Sequence, residues 1–151
     1  MEAYWELIKR IIKESDLVLE ILDARLIELS RNEEVERLVK EVGRPIVFVI
    51  NKSDLASKKI LKVQAEKLRS EGCVVFVSAR RGKSIKVLLY MIKKIFKEYG
   101  KRERPQRKFG DPKLTHREAK ADIVVGVLGY PNVGKSSVIN ALAHKPKAKV
   151  G

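Results

Sequence analysis

The stretch Gly129-Tyr130-Pro131-Asn132-Val133-Gly134-Lys135-Ser136 decides the fold of this chain. It fits the pattern G-x-x-x-x-G-K-[ST], in which glycines let backbone N–H groups approach phosphate oxygens closely. The apolar run 123–129 leads into it and predicts a buried strand, and residues 135–144 predict a helix whose N-terminus attracts anions. The order strand, glycine-rich loop, helix predicts a phosphate-binding loop, or P-loop.

Six residues of this loop and of the following helix are the expected phosphate ligands: Asn132, Val133, Gly134, Lys135, Ser136 and Ser137. Lys135 would bring positive charge to the β- and γ-phosphates of a nucleotide. The hydroxyl of Ser136 would be a ligand of Mg²⁺, which is the expected cofactor.

Three further apolar runs precede the P-loop strand and alternate with segments of helical periodicity. The predicted strands are 16–22, 45–50 and 74–78, and the predicted helices are 3–14, 30–42, 57–70 and 85–96. Ser30 and Glu33 fit a capping box at the start of the second helix. This alternation predicts an α/β protein with a mostly parallel sheet in the three-layer P-loop NTPase fold.

The motif Asn51-Lys52-Ser53-Asp54 directly follows the predicted strand 45–50. The Asp54 carboxylate can accept hydrogen bonds from guanine N1–H and the 2-amino group, a pair of donors that adenine lacks. Asn51 would brace the loop and contact the other edge of the base, and the stem of Lys52 would cover the ring.

A second short motif, Ser78-Ala79-Arg80, ends the predicted strand 74–78, where the Ala79 backbone N–H could reach guanine O6. Both motifs and the P-loop follow carboxyl ends of parallel strands, which is where an open α/β sheet binds its ligands. GTP and GDP are therefore the predicted ligands, and the expected guanine contacts are Asn51, Lys52, Asp54, Ser78, Ala79 and Arg80.

The order of these motifs is the reverse of that in a Ras-like GTPase, where the P-loop comes first. Permutation within one domain is one interpretation, and the junction of two tandem G domains is another. Two further alternatives are a P-loop ATPase or kinase with an incidental NKSD turn, and an RNA-binding module without useful turnover. The short stretch before Asn51 leaves no room for an earlier P-loop, which favours a circularly permuted G domain.

Two tripeptides upstream of NKSD, Asp23-Ala24-Arg25 and Ser30-Arg31-Asn32, make the chain similar to circularly permuted GTPases of the YlqF/YawG type. The resemblance covers nearly all 151 residues. It implies a GTPase that acts as a switch in ribosome assembly, and a potassium ion near Asn132 that aids hydrolysis. Asp23 and Arg25 themselves are expected to pair locally at a strand end.

The same resemblance implies a switch threonine and a DxxG motif beyond Gly151. We therefore expect residues 1–151 to be the N-terminal part of a longer protein, a G domain incomplete at its C-terminus that lacks the switch regions and hydrolyses GTP slowly or not at all. A Ras-like strand order would be 122–128, 16–22, 45–50, 74–78. The first of these strands would then have an open edge, which invites self-association.

The net charge is +14, from 33 Lys and Arg against 19 Asp and Glu, and it favours RNA or a ribosomal subunit as a partner. Residues 99–120 predict a basic linker between the base-reading half and the P-loop half. Its candidate RNA contacts are Lys101, Arg102, Arg104, Arg107 and Lys108, unless this is only a solvated loop. No apolar run approaches the ~20 residues of a membrane span, and the N-terminus lacks signal-peptide features, so a cytoplasmic protein without a membrane partner is expected.

Overall fold

The computed structural model describes residues 2–79, 84–100, 123–130 and 133–143. In these ranges the strands are β1 (Leu17–Asp23), β2 (Ile46–Asn51), β3 (Cys73–Phe76) and β4 (Val125–Leu128). The helices are α1 (Glu2–Glu14), α2 (Ile27–Ser30), α3 (Glu33–Val42), α4 (Lys58–Arg69), α5 (Ile85–Tyr99) and α6 (Lys135–Ala143). A 3-10 turn at Ser53–Leu55 follows β2.

The four strands form one parallel sheet in the order β3-β2-β1-β4, so the predicted strand order is confirmed. β1 is central and pairs with β2 on one side and β4 on the other. In the register of β1 with β2, Asp23 lies opposite Asn51. The DAR tripeptide therefore begins beside the start of the NKSD motif, at the carboxyl end of the sheet.

Helices cover both faces of the sheet, as a three-layer α/β fold requires. Alternate β1 side chains, from Leu17 to Ile21, pack with the buried stripes of α5 and α6. On the other face, Val18 packs with α1 and α3, and Leu22 belongs to the cluster that includes α4. Every residue of β1 is buried, because a parallel strand covered on both faces has no solvent side.

The predicted capping box at Ser30 is wrong. Asn32 is the N-cap of α3, because its Oδ1 accepts the Val35 backbone N–H at 3.1 Å. Ser30 instead ends α2, where its hydroxyl donates to the Leu26 carbonyl oxygen at 2.8 Å and accepts the Asp23 backbone N–H at 3.1 Å. The Ser30 hydroxyl thus bonds to a buried N–H at the end of β1, whereas the local sequence pattern predicts that it caps α3.

Glu20 is a buried carboxylic acid in the middle of β1, only 2% exposed. Among the described residues, none hydrogen-bonds to either of its carboxyl oxygens. Burial, and then the neighbouring Glu36 carboxyl, raise the pKa of Glu20 to about 9, although the Arg31 guanidinium acts in the opposite direction. Glu20 is therefore protonated at neutral pH, because the effects of burial and of the Glu36 carboxyl outweigh that of Arg31.

Arg31 lies near Glu20 and pairs with two acidic side chains. Its guanidinium donates to Glu36 at 2.6 Å and to Glu71 at 2.8 Å, and it lies 5.6 Å from the centre of the Phe48 ring. The Glu36 side chain in turn raises the pKa of Arg31 further above its usual range, so that this cation stays charged. The Ser30-Arg31-Asn32 tripeptide therefore has three structural roles: a bond to β1, an ion pair, and a helix cap.

Several predictions concern the edges and ends of the described chain. β4 lies at one edge of the sheet, and self-association through it stays a prediction. Tyr99, the first residue of the predicted linker, is the last residue of α5, and residues 101–120 lie outside the described ranges. In the part of the chain that the structure describes, no helix combines the length and apolarity that crossing a bilayer needs.

Candidate guanine-nucleotide site

Asn51 joins the loops at the carboxyl end of the sheet. Its side chain is buried, and Nδ2 donates to the backbone carbonyl of Val133 in the P-loop at 3.1 Å, across 82 residues of sequence. Its Oδ1 accepts the backbone N–H of Ala79 at 3.1 Å. One amide therefore connects the P-loop to the turn after β3, and the predicted bracing role of Asn51 has a specific geometry.

The NKSD loop turns sharply at Lys52, which has φ 62° and ψ 32°. This left-handed conformation costs a non-glycine residue about 1–2 kcal/mol, so other contacts must hold it. The Ser53 N–H donates to the Val77 carbonyl at 3.1 Å, and the Ser78 hydroxyl donates to Asp54 Oδ1 at 2.8 Å. Asp54 is exposed, and this second bond orients its carboxylate.

Glycine is favoured at two P-loop positions, 129 and 134, because neighbouring atoms lie very close to the backbone there. Gly134 has φ 87°, and a Cβ there would collide with the Asn51 amide. A Cβ at Gly129 would lie 3.1 Å from the Ile21 carbonyl oxygen and from Val133 Cγ2. Close packing against Asn51 therefore favours glycine at position 134, and α6 begins directly after it.

Three of the predicted phosphate ligands lie on the first turn of α6. Lys135 is half-buried and starts α6, and Ser136 and Ser137 are exposed on its first turn. Ser136 is the residue that would hold Mg²⁺, because it is exposed and carries a hydroxyl at the start of α6. Arg80 and Asn132, and with Asn132 the potassium prediction, lie outside the described residues.

The guanine O6 contact predicted for Ala79 differs in one respect from the structure. The Ala79 N–H donates to Asn51 Oδ1, so this donor already has an intramolecular partner. The Asn51 amide is likewise directed at Val133. Among the described residues that the sequence predicts to contact the base, Asp54 has an exposed carboxylate.

Asp23 is the residue of this region that the sequence did not connect to the site. Its carboxylate accepts from the Arg25 backbone N–H at 2.9 Å and from the Arg25 guanidinium at 3.0 and 2.8 Å, which is the predicted local pairing. It also accepts from Lys52 Nζ at 3.1 Å. The Arg25 guanidinium, against the effect of burial and with help from Lys52, holds the pKa of Asp23 well below its usual range.

The contact between Asp23 and Lys52 places the Lys52 stem. A Cβ at Gly134 would lie 3.8 Å from Lys52 Cε, so the methylene chain runs beside the P-loop while its ammonium group is held at Asp23. Asp23 is thus a positioning residue for the NKSD loop. The DAR tripeptide supports the strained residue on which the loop turns.

We expect Asp23→Asn to weaken GDP binding by about three- to tenfold, because Lys52 loses a charge-assisted bond of about 1.5–3 kcal/mol. The variant should also be less stable than the unmodified chain, and this difference in the free energy of unfolding should have its full size at neutral pH. It should narrow as the pH falls below about 4, because a depressed pKa stabilises the fold only above the pKa of the unfolded chain. Chemical unfolding and GDP titration at several pH values would measure both effects.

Arg25→Gln is the matched control, since it removes the other partner of Asp23 from a half-exposed position. It should leave GDP affinity close to that of the unmodified chain. An equal loss of affinity in both variants would show that Lys52 is not the route by which Asp23 acts.

The site combines a P-loop with an NKxD loop at one end of a parallel sheet, and a hydrogen bond from Asn51 links the two loops. β4, which leads into the P-loop, pairs directly with β1 of the base-reading half. This fold and site define a P-loop GTP-binding domain whose motifs run in circularly permuted order. The tandem alternative, with NKSD and Lys135 in separate sites, does not fit this single sheet.

Comparisons with known proteins agree with this class. Residues 124–151 match the family model described as 50S ribosome-binding GTPase. A GTP-binding protein of Methanocaldococcus jannaschii is 41% identical over 146 residues, which are 97% of this chain and 34% of that protein. Ribosome biogenesis GTPase A of Priestia megaterium is 33% identical over 93% of this chain and 45% of its own length.

The fold has a counterpart among solved structures. YjeQ from Thermotoga maritima aligns with a TM-score of 0.56 and 19% identity, over 89% of this chain and 40% of that one. The chain is therefore similar to GTP-binding proteins and to ribosome biogenesis GTPases, and its own motifs run in circularly permuted order. It spans less than half the length of the curated relatives named above.

Proposed function

We propose that this chain binds GTP and GDP at one site, and that the complete protein hydrolyses GTP as a switch in ribosome assembly. The observation that carries the first part is the pair of hydrogen bonds from Asn51 to the P-loop and to Ala79. This side chain links the loop proposed to bind the phosphates with the turn proposed to lie beside the base. Residues 1–151 alone would bind nucleotide with little or no turnover.

The case for guanine rests on Asp54. Its exposed carboxylate is oriented by Ser78 and follows a strand end beside the P-loop, where it can accept from two donors of guanine. An ATPase with an incidental NKSD turn has no use for a carboxylate fixed in this way. The phosphates would lie on the P-loop backbone with Lys135, and Ser136 would hold Mg²⁺.

The case for a ribosomal role rests on the relatives and on charge. One relative is named as a ribosome biogenesis GTPase, and the family model is described as ribosome-binding. A net charge of +14 suits a partner rich in phosphate. The proposal includes a cytoplasmic location, a potassium ion at Asn132, and RNA contacts from Lys101, Arg102, Arg104, Arg107 and Lys108.

Displacement of a fluorescent GDP analogue by GTP, ATP and XTP tests the nucleotide assignment. GTP should displace the analogue and ATP should not. In Asp54→Asn, GTP should weaken by about tenfold or more and XTP should gain, because an amide can donate to the extra carbonyl of xanthine. Glu66→Gln, at an exposed position on α4, is the matched loss of one negative charge and should change nothing.

Two results would refute the guanine assignment. One is displacement by ATP as effective as displacement by GTP. The other is an Asp54→Asn variant with an unchanged order of preference among the three nucleotides.

A further inference from the structure

The solvent face of α5 carries a line of basic residues that the nucleotide site does not use. Lys86, Tyr90, Lys93 and Lys97 are spaced by four, three and four residues, so they share one side of the helix. All four are exposed, and Tyr90 is 63% exposed. The buried residues of the same helix, Ile85, Leu88, Ile92 and Ile95, lie on the opposite side. We name these four exposed residues the α5 stripe.

The lysines of the α5 stripe have no acidic partners within the described ranges. None of them takes part in an ion pair there. α6, which packs beside α5 on this face of the sheet, has no acidic residue in its sequence KSSVINALA. Lys94 adds a further charge beside the stripe, and Glu98 is the single acid of α5. The potential over this helix face is therefore positive.

The positive charge is not spread evenly over the molecule. α3, on the other face of the sheet, has the sequence EEVERLVKEV, with four Glu against Arg37 and Lys40. α4 is basic, but Glu66 lies in line with Lys58, Lys62 and Arg69 and interrupts that row. A chain that needed charge only for solubility would not require an acid-free row on one helix.

The dimensions of the α5 stripe suit a phosphate backbone. From Lys86 to Lys97 the stripe rises by about 16 Å, at 1.5 Å per residue, which is three turns of helix. Tyr90 lies between Lys86 and Lys93 along the stripe, and tyrosine is enriched at interfaces. Lysine ammonium groups in a row around an aromatic ring match the phosphates and sugars of a nucleic-acid strand.

We infer that the α5 stripe is an RNA-docking surface, with Lys86, Lys93 and Lys97 on backbone phosphates and Tyr90 at the centre of the contact. The inference rests on the RNA partner of the proposed function and assigns that partner a place on the domain. Ser84, the N-cap of α5, follows the Ser78-Ala79 turn closely in sequence.

The test measures the affinity of the chain for a fluorescein-labelled RNA hairpin by anisotropy, between about 50 and 200 mM KCl. The variant combines Lys86→Gln, Lys93→Gln and Lys97→Gln. Its affinity should fall at least tenfold at the lower salt concentration. The slope of log K against log salt should shrink by about two to three, because up to three phosphate contacts are lost.

The matched control replaces three exposed lysines on the opposite face, as Lys9→Gln, Lys13→Gln and Lys40→Gln. It has the same net charge as the α5 variant and should change the slope by less than about one. Equal losses in the two variants would mean diffuse attraction, and the α5 assignment would be wrong.

GDP displacement on the α5 variant separates this inference from the nucleotide proposal. Unchanged GDP affinity, with RNA affinity lost, is the expected result, because no residue of the stripe is among the predicted nucleotide contacts. A chain that binds GDP but no RNA even at low salt would overturn the RNA surface and leave the guanine assignment standing.

Discussion

Replacing Asn51 by alanine should cost about 100-fold in GDP affinity and about 2–4 kcal/mol in the free energy of unfolding. The amide has a different partner on each side, the Val133 carbonyl and the Ala79 N–H. Alanine would leave both without a partner in a buried setting, and each orphaned group costs about 1–3 kcal/mol. The P-loop and the turn after β3 would then no longer be linked by this side chain. Part of the binding free energy of the nucleotide would be needed to order the two loops, and the measured GDP affinity would fall.

Isothermal titration with GDP and urea unfolding would measure these two losses. Asn140→Ala is the matched control, because Asn140 is exposed on α6 and the same atoms are removed. Asn51→Asp separates the two bonds, since its carboxylate can still accept from Ala79 but cannot donate to Val133. An Asn51→Ala chain that binds GDP as the unmodified chain does would show that the loops are held in some other way.

Glu20→Gln should stabilise the protein, and the gain should grow with pH. The unfolded chain ionises Glu20 near pH 4.5, whereas the folded protein retains the proton up to about pH 9. Between these values unfolding releases a proton, so rising pH favours the unfolded state by at most about 1.4 kcal/mol per unit. Glutamine keeps the shape, cannot ionise, and can donate an N–H toward Glu36.

The comparison needs urea unfolding at two pH values. The two proteins should be nearly equal near pH 4.5, and at pH 8 the glutamine variant should be more stable by about 2 kcal/mol or more. Glu41→Gln, at an exposed position of α3, should show no such divergence. A gap between Glu20→Gln and the unmodified chain that is equal at both pH values would contradict a protonated Glu20 in the folded protein.

The sheet and its ligand end could be predicted from the sequence, because they depend on patterns that local physics enforces. Short β-branched apolar runs such as 45–50 favour buried strands, and a P-loop constrains its own backbone through Gly134. The sequence also contains a signal for Glu20, which is a charge inside an apolar run. What it could not supply was the set of groups that face that carboxyl, since Arg31 and Glu36 come from another element.

The wrong prediction for Ser30 and the missed role of Asp23 have one physical cause. Both side chains bond to groups in other elements rather than only to their sequence neighbours. Ser30 has a good local reason to cap α3, yet the Asp23 N–H at the end of β1 takes its hydroxyl. The bond between Asp23 and Lys52 depends on the register of β1 with β2, and an apolar run that is buried on both faces does not distinguish one register from another. Local motifs therefore predict the loops of the site better than the contacts that join them.

The pairing of β4 with β1 has a consequence for how the molecule is built during translation. β1, β2 and β3 pair with neighbours that are near in sequence, whereas the bond from the Val124 N–H to Asp16 at the β1–β4 side spans 108 residues. Contacts of such separation are slow to form because a long loop must close first. A ribosome therefore synthesises β1, β2 and β3, with the NKSD loop, well before β4 and the P-loop. Until β4 pairs with β1, the NKSD loop therefore lacks the bond from Asn51 to the P-loop, which follows β4 in sequence.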